Sequence, residues 1–376
     1  MAARPRRGLS IMETGRIFGV GDFEREISPL WGAPRPQRPT PMLHEAWIRA
    51  CARALNPDGA FEIIAAERAC AVFERRRAVF PCLFLLGAEE LWEPADVLYE
   101  DERGAARLAA AVVKRGLPAR FGHFPADSAF VVALKEICRG KAFLLADPVA
   151  GSPCLTLHEG WREPESQFNS RRKSDFRRMR RKAEAMGAVT MEFLSPNAEE
   201  AGALIEEAIA VEAGGWKAKA GSALLFDAKA LAFFRLYARL AGEAGLLRLS
   251  FLRIDGKAAA AQIAVEYENA LWLLKIGYDD AYKDCSPGNL LLLETVRRAA
   301  KQGLLAVEFL GKSAPWTALW TKQERANIRL RVYPFNAPGA AAFVFDAGAA
   351  GYRRIRAKFG SNTLESNTRK DDAESA

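Results

Sequence analysis

Between Leu271 and Gly311 the chain reads as strand, loop, helix, strand, and the loop delivers Ser286-Pro287-Gly288-Asn289 straight into the helix. This stretch asks for a layered α/β arrangement and sets a helix N-terminus at the end of a strand. The first turn of a helix leaves backbone N–H groups without partners, and the helix dipole makes that end positive, so a phosphate or pyrophosphate docks there. Gly288 has no side chain to keep such a ligand from the backbone. Pro287 fixes one dihedral of the turn. Ser286 offers a hydroxyl and Lys283 a nearby positive charge. The helix is amphipathic: Leu292, Leu293, Val296 and Ala300 share a face, and Glu294 is spaced to pair with Arg298. Ser-Pro-Gly is also an ordinary way to enter a helix, far less specific than a Walker loop.

The rest of the chain repeats this alternation. In the first half, helical spacing over MLHEAWIRACARAL is followed by the apolar runs FEIIAAE and CLFLLGAEE. A helix stops at Gly116, PARFGHF reads as a short strand, and Asp127 is placed to cap a helix over DSAFVVALKEICRG. KAFLLAD and SPCLTLHE read as two strands. In the second half two helices cover roughly Ala198 to Val211 and Ala228 to Ala241. LLRLSFLRIDGKAAAAQIAVEY reads as a hairpin turning at Asp255-Gly256. LLAVEFLG and IRLRVYPF are later strands. Helix exits at Lys114-Arg115-Gly116-Leu117 and Lys301-Gln302-Gly303-Leu304 echo each other, as two copies of one α/β unit would; Lys-x-Gly is also simply a common exit. Residues 1–38 read as an irregular arm and 361–376 as a polar tail.

A chain of 376 residues is long for one core and comfortable for two. A formal charge of +8 suits an anionic ligand such as a nucleotide, nucleic acid or a membrane surface, and charge alone does not choose among them. Six cysteines without CxxC spacing and only three histidines argue against a metal site or a disulfide framework. No apolar run approaches a membrane span, and the N-terminus lacks the apolar core of a signal peptide, so a cytoplasmic location is expected.

The ordered set of hairpin, strand ending Gly277-Tyr278-Asp279, Ser-Pro-Gly, long helix, Val307-Glu308-Phe309-Leu310-Gly311 and Trp316 to Trp320 resembles the BioF2-like (CelD-like) branch of the GNAT acyltransferases, related to the FemABX transferases. The resemblance covers about residues 40–335 and includes Glu212, Trp216-Lys217 and the basic segment 171–182. It implies an α/β (α+β) fold of two tandem GNAT-like units, 39–165 and 166–360, each a mixed, mainly antiparallel sheet flanked by helices. It also implies an N- or O-acyltransferase in polysaccharide or cell-envelope biosynthesis, acting on a small-molecule or saccharide acceptor, with acetyl-CoA or another acyl-CoA as co-substrate and no metal. By the same resemblance Ile276, Gly277 and Tyr278 line the pantetheine, and Ser286, Gly288 and Asn289 hold the pyrophosphate; Pro287 and Lys283, read from the loop itself, complete the cofactor-binding set. The family often carries a Tyr-Lys pair where this chain has Trp316-Thr317, which leaves the acceptor open.

Direct acyl transfer needs a base for the acceptor, a donor for the thioester oxygen and an acid for the leaving thiolate. Glu308, at the end of a strand, and Glu212 are candidate bases; Tyr278 is a candidate acid. Trp216, Lys217 and Asp279 are candidate acceptor-binding residues, with an aromatic face for a sugar ring. Cys285 beside the loop has no histidine near it in sequence, which argues against a covalent acyl-cysteine. The run from Arg171 to Lys182 reads as a solvated helix, as a site for an anionic substrate or the CoA 3′-phosphate, or as a nucleic-acid surface. The last of these belongs to an alternative in which aminoacyl-tRNA is the donor. A further alternative, a non-catalytic partner of a synthase complex, rests on Thr317 alone.

Overall fold

The computed structural model describes residues 16–31, 40–77, 80–215, 224–349 and 351–352. Among these, thirteen strands join in one sheet. The first half supplies β1 (Ile17–Phe18), α1 (Val20–Trp31), α2 (Glu45–Ala50), β2 (Phe61–Ala66), β3 (Ala69–Arg77), β4 (Pro81–Leu85), β5 (Leu98–Tyr99), α3 (Glu102–Lys114), β6 (Ala119–Pro125), α4 (Ala129–Cys138) and β7 (Ala142–Thr156). The second supplies α5 (Ser170–Glu184), β8 (Val189–Leu194), α6 (Ala198–Ala213), α7 (Ala228–Glu243), β9 (Leu247–Ile254), β10 (Lys257–Tyr267), β11 (Ala270–Tyr278), α8 (Pro287–Lys301), β12 (Ala306–Glu308) and β13 (Glu324–Pro334). A final helix covers 337–349.

The internal echo is real in topology. In each half three antiparallel strands (β2-β3-β4, β9-β10-β11) are followed by a helix and then a strand parallel to the third (β6 along β4, β12 along β11). The two Lys-x-Gly exits occupy equivalent places: Gly116 and Gly303 both have positive φ, at 68° and 79°, and each precedes its parallel strand by the same short link. The sheets of the two halves are not separate, however. β13 inserts between β6 and β7, antiparallel to both, and β7 then pairs antiparallel with β12.

Burial explains why the halves stay joined. One apolar cluster fills the first half between its strands and α3 and α4, and another packs α5 and α8 on the second. A third spans both: Trp47 of α2 lies edge-on to Phe233 and Tyr237 of α7, with ring centroids 4.8 and 4.9 Å apart. All three rings are essentially inaccessible, and large aromatics dominate core energetics.

Several local expectations are corrected. The region read as an arm contains α1, whose Phe23 and Ile27 are fully buried. α4 is capped by Ser128, whose hydroxyl accepts from the Phe130 N–H, and not by Asp127. KAFLLAD and SPCLTLHE form the single strand β7, running through Pro148, Gly151 and Pro153; the irregular register opposite Arg325 and Asn327 accommodates the breaks that prolines impose. Glu294 pairs with Arg297, while Arg298 lies over the Phe193 ring. The hairpin is as expected, with Asp255 and Gly256 both at positive φ, as a type I′ turn requires.

Candidate active site

β11 and β12 run together for only three rungs, Ala270↔Ala306 to Trp272↔Glu308, after which they part. Two residues beyond the last rung, β11 carries a bulge at Leu274, where its register against β10 shifts. A bulge re-aims the side chains that follow. Leu274 packs with the α6/α7 cluster, Lys275 stands over the Phe234 ring of α7, and Ile276 and Tyr278 turn to the cavity beside α8. The wedge between the parting chains opens into a cavity of about 400 Å³.

Its walls are drawn from the predicted stretch. Ile276, Gly277 and Tyr278 from β11, Lys283 from the loop, and Ser286, Gly288 and Asn289 at the start of α8 all line it, with Glu212 from the end of α6. Gly277 is required by packing: a Cβ there would lie 2.5 Å from the Glu212 Cα, so only glycine lets α6 press on the strand. The Glu212 carboxylate is buried and accepts from the Leu224 N–H at 3.0 Å.

The turn into α8 is shaped by Ser286, which is left-handed (φ 49°, ψ 57°) and offers no side-chain cap to the helix. That conformation is costly for a residue with a Cβ and marks the turn as constrained by its surroundings. Pro287 follows at the first helical position and is buried, so it shapes the turn from behind the cavity wall. At Gly288 an added Cβ would touch only the Tyr278 ring, at 3.7 Å, so the helix start faces open space. The loop before it is a 3-10 turn over Asp280–Cys285, capped by Asp279, whose carboxylate accepts from the Ala281 N–H at 2.9 Å. α5 packs against this turn, bringing its basic run beside the loop. Arg171, Lys173, Arg177 and Arg181 enter no ion pair among the described residues, whereas Arg172 and Arg178 pair with Asp175.

Not every predicted residue arrives. Glu308 sits on the last rung itself, is held by Arg325 at 2.6 Å, and lines a different cavity. Asp279 is engaged in capping and is not part of the cavity wall. Trp216 and Lys217 lie outside the described residues. Thr317 is buried and closes a tight turn, its hydroxyl donating to Ala314 O and accepting from Ala314 N–H. Cys285 is fully buried, its thiol donating to Tyr282 O at 3.1 Å, and burial pushes its pKa up, which makes it a poor nucleophile.

Sequence reasoning missed six lining residues, among them Gly215 after α6 and Leu292 of α8. Ala261 and Gln262 reach the cavity because β10 sets them opposite Gly277 and Ile276. Pro315 and Trp316 close it from the segment after β12, with Trp316 braced edge-on by Phe309. The Trp-rich segment was visible in the sequence; the cross-strand register was not.

The residues fit a phosphorylated thioester in their chemistry: a helix N-terminus, a lysine and a hydroxyl at one end, and an apolar strand wall at the other. Among the described residues no group of three or more His, Cys, Asp or Glu is placed to hold a metal ion. No helix among them is long and apolar enough to cross a membrane.

Residues 170–317 match the family model described as an acetyltransferase (GNAT) domain. The second half therefore carries a GNAT acetyltransferase domain, and the cavity lies within it. Solved structures similar to the chain include a conserved protein of unknown function from Bacteroides thetaiotaomicron VPI-5482, at 11% identity and a TM-score of 0.54, with 80% of this chain and 93% of that one covered. FemX is similar at 9% identity and a TM-score of 0.53, with coverages of 86% and 98%. At such identities the likeness is one of fold. No protein of curated function matches the chain.

Proposed function

We propose that the protein is an acyl-CoA-dependent N- or O-acyltransferase that uses the wedge cavity for its co-substrate. The observation that carries this reading is the meeting, in one cavity, of the end of β11 with the uncapped first turn of α8. The pyrophosphate sits against Gly288, Asn289 and the Ser286 hydroxyl, with Lys283 adding charge at the rim. The pantetheine lies along Ile276, Gly277 and Tyr278, and Trp316 covers it. The thioester supplies the activated acyl group. The acceptor nitrogen or oxygen attacks the carbonyl, its proton passes to Glu212, the C–S bond breaks, and the Tyr278 hydroxyl gives its proton to the leaving thiolate. The resemblance to the BioF2-like branch supports a role in polysaccharide or cell-envelope metabolism and a cytoplasmic location.

The test is calorimetric titration with CoA, beside a free-thiol release assay with acetyl-CoA. Replacing Gly288 with Val puts a branched side chain where the phosphates approach. CoA affinity should fall at least ~10-fold, the loss expected from charge-assisted hydrogen bonds, with thermal stability little changed. Unaltered affinity in Gly288→Val refutes the placement.

The unpaired arginines and lysine of α5, packed beside the loop, favour a second reading: an aminoacyl-tRNA donor whose phosphates they would meet. Binding of charged tRNA that weakens steeply with salt, without CoA binding, would select it.

A further inference from the structure

A second cavity, of about 340 Å³, lies at the seam of the two halves, beneath the point where β11 and β12 part. Its walls come from both: Ser152 of β7, Arg325 and Asn327 of β13, Glu308 of β12, Trp272 of β11, and Asp96 from the loop before β5. Four polar side chains here are almost fully buried: Asp96 (3% exposed), Ser152 (2%), Glu308 (3%) and Asn327 (4%). Burying such groups is costly unless they are paired. Asn327 donates to the Ser152 hydroxyl at 3.0 Å, and Asp96 accepts from Ser128 and from the Val97 N–H.

Glu308 is only half satisfied. Arg325 donates from Nε at 2.9 Å and from Nη2 at 2.6 Å, and both bonds land on Oε1. Oε2 accepts no hydrogen bond among the described residues, although the side chain lines the cavity. The lining has three carboxylates, Asp96, Glu268 and Glu308, against one guanidinium, Arg325. A ligand that completes this site brings positive charge and hydrogen-bond donors.

The position connects it to the first cavity. Pro94 and Leu310 are among its lining residues. Their neighbours Glu93 and Gly311 approach each other here, and the Gly311 backbone amide and Lys275 of β11 both act on the Glu93 carboxylate. Lys275 directly precedes Ile276 to Tyr278, which line the first cavity. From Trp272 to Ile276 is four residues of strand, about 13 Å at 3.3 Å per residue. Resting on the transferase reading, we propose that this second cavity anchors the acyl acceptor by a protonated primary amine at its non-reacting end, with Glu308 Oε2 as the receiving atom. Glu308 then binds the acceptor and is not the base.

The probe is 1,6-diaminohexane, titrated calorimetrically into the full-length protein. Glu308→Gln should weaken binding at least ~10-fold, as expected for loss of a charge-assisted bond. Arg325→Gln frees Glu308 from its competitor and should tighten binding several-fold, a change of sign that a damaged fold does not produce. Gly288→Val, which acts on the other cavity, should leave amine binding unchanged, so failure of the CoA placement and failure of this proposal read out separately. No saturable diamine binding, equal affinity in the wild type and both seam variants, or preferential binding of adipate, which would make Arg325 the anchor for an anion, each overturns the proposal.

Discussion

Glu93 provides a quantitative handle on the seam. Glu93 is 5% exposed, the Gly311 amide and Lys275 lie near its carboxylate, and Oε2 is sealed from solvent without a hydrogen bond. Burial outweighs the attraction of Lys275 and pushes the pKa up from 4.5 to about 7. At 1.36 kcal/mol per unit this corresponds to about 3 kcal/mol. Below pH 4.5 native and unfolded chains both hold the proton and Glu93 costs nothing through ionisation. Between pH 4.5 and 7 the unfolded chain releases it while the native chain keeps it, so stability falls as pH rises. Above 7 the full cost remains. Glu93→Gln keeps the shape and removes the titration. Urea denaturation of both proteins at pH 5, 6, 7 and 8 should show a difference of only about 0.8 kcal/mol at pH 5. The variant should gain up to about 3 kcal/mol by pH 8, with most of the divergence below pH 7. Parallel curves across the range would refute the reasoning, because they would mean that Lys275 and the Gly311 amide keep the carboxylate ionised at its usual pKa.

Two further outcomes follow from the first cavity. Ser286→Gly removes the left-handed penalty of about 1 kcal/mol but gives back a similar amount in unfolded-chain freedom, so stability should shift by less than ~1 kcal/mol. CoA affinity should nevertheless fall about 10-fold with the lost hydroxyl, as read by titration; an unchanged Kd would remove Ser286 from the phosphate site. All six cysteines are buried and unpaired, and burial raises the pKa of each. The native protein should therefore show no fast-reacting thiol toward a disulfide reagent, while the urea-unfolded chain shows all of them. A rapid native thiol would reopen the question of Cys285.

How much of the site could be read in advance depended on how it is distributed along the chain. Ile276 through Asn289 are contiguous, and strand end, turn and helix start each leave local marks: alternation, Ser-Pro-Gly, apolar spacing. Those residues were legible. Ala261 and Gln262 come from the neighbouring strand, and only the register of β10 on β11, including the bulge at Leu274, decides that they face the ligand. Glu308 was legible as a strand-end carboxylate, but which side of the wedge it serves depends on Arg325 of β13, seventeen residues on. The merger of the two sheets was illegible for a similar reason. Nothing local in IRLRVYPF says that it pairs with β6 and β7, and the prolines of β7 argue locally against one long strand.

That merger bears on how the two cavities relate. The first is built wholly from the second half, where strand, loop and helix follow one another. The second needs Asp96 and Ser152 from the first half and Glu308, Arg325 and Asn327 from the second, and it exists only because β13 lies beside β7. β7 is also the strand against which β12 is held, through Cys154↔Glu308, on the rung where β11 and β12 begin to part. The first half thus fixes the floor of the wedge and buries Glu93 near Lys275 and Gly311 of the second. A second copy of the fold that merely flanked the transferase domain would share neither a sheet nor a buried carboxylate with it. The shared rung and the buried Glu93 beside it make the first half a structural part of the place where, on the reading proposed here, acceptor and thioester meet.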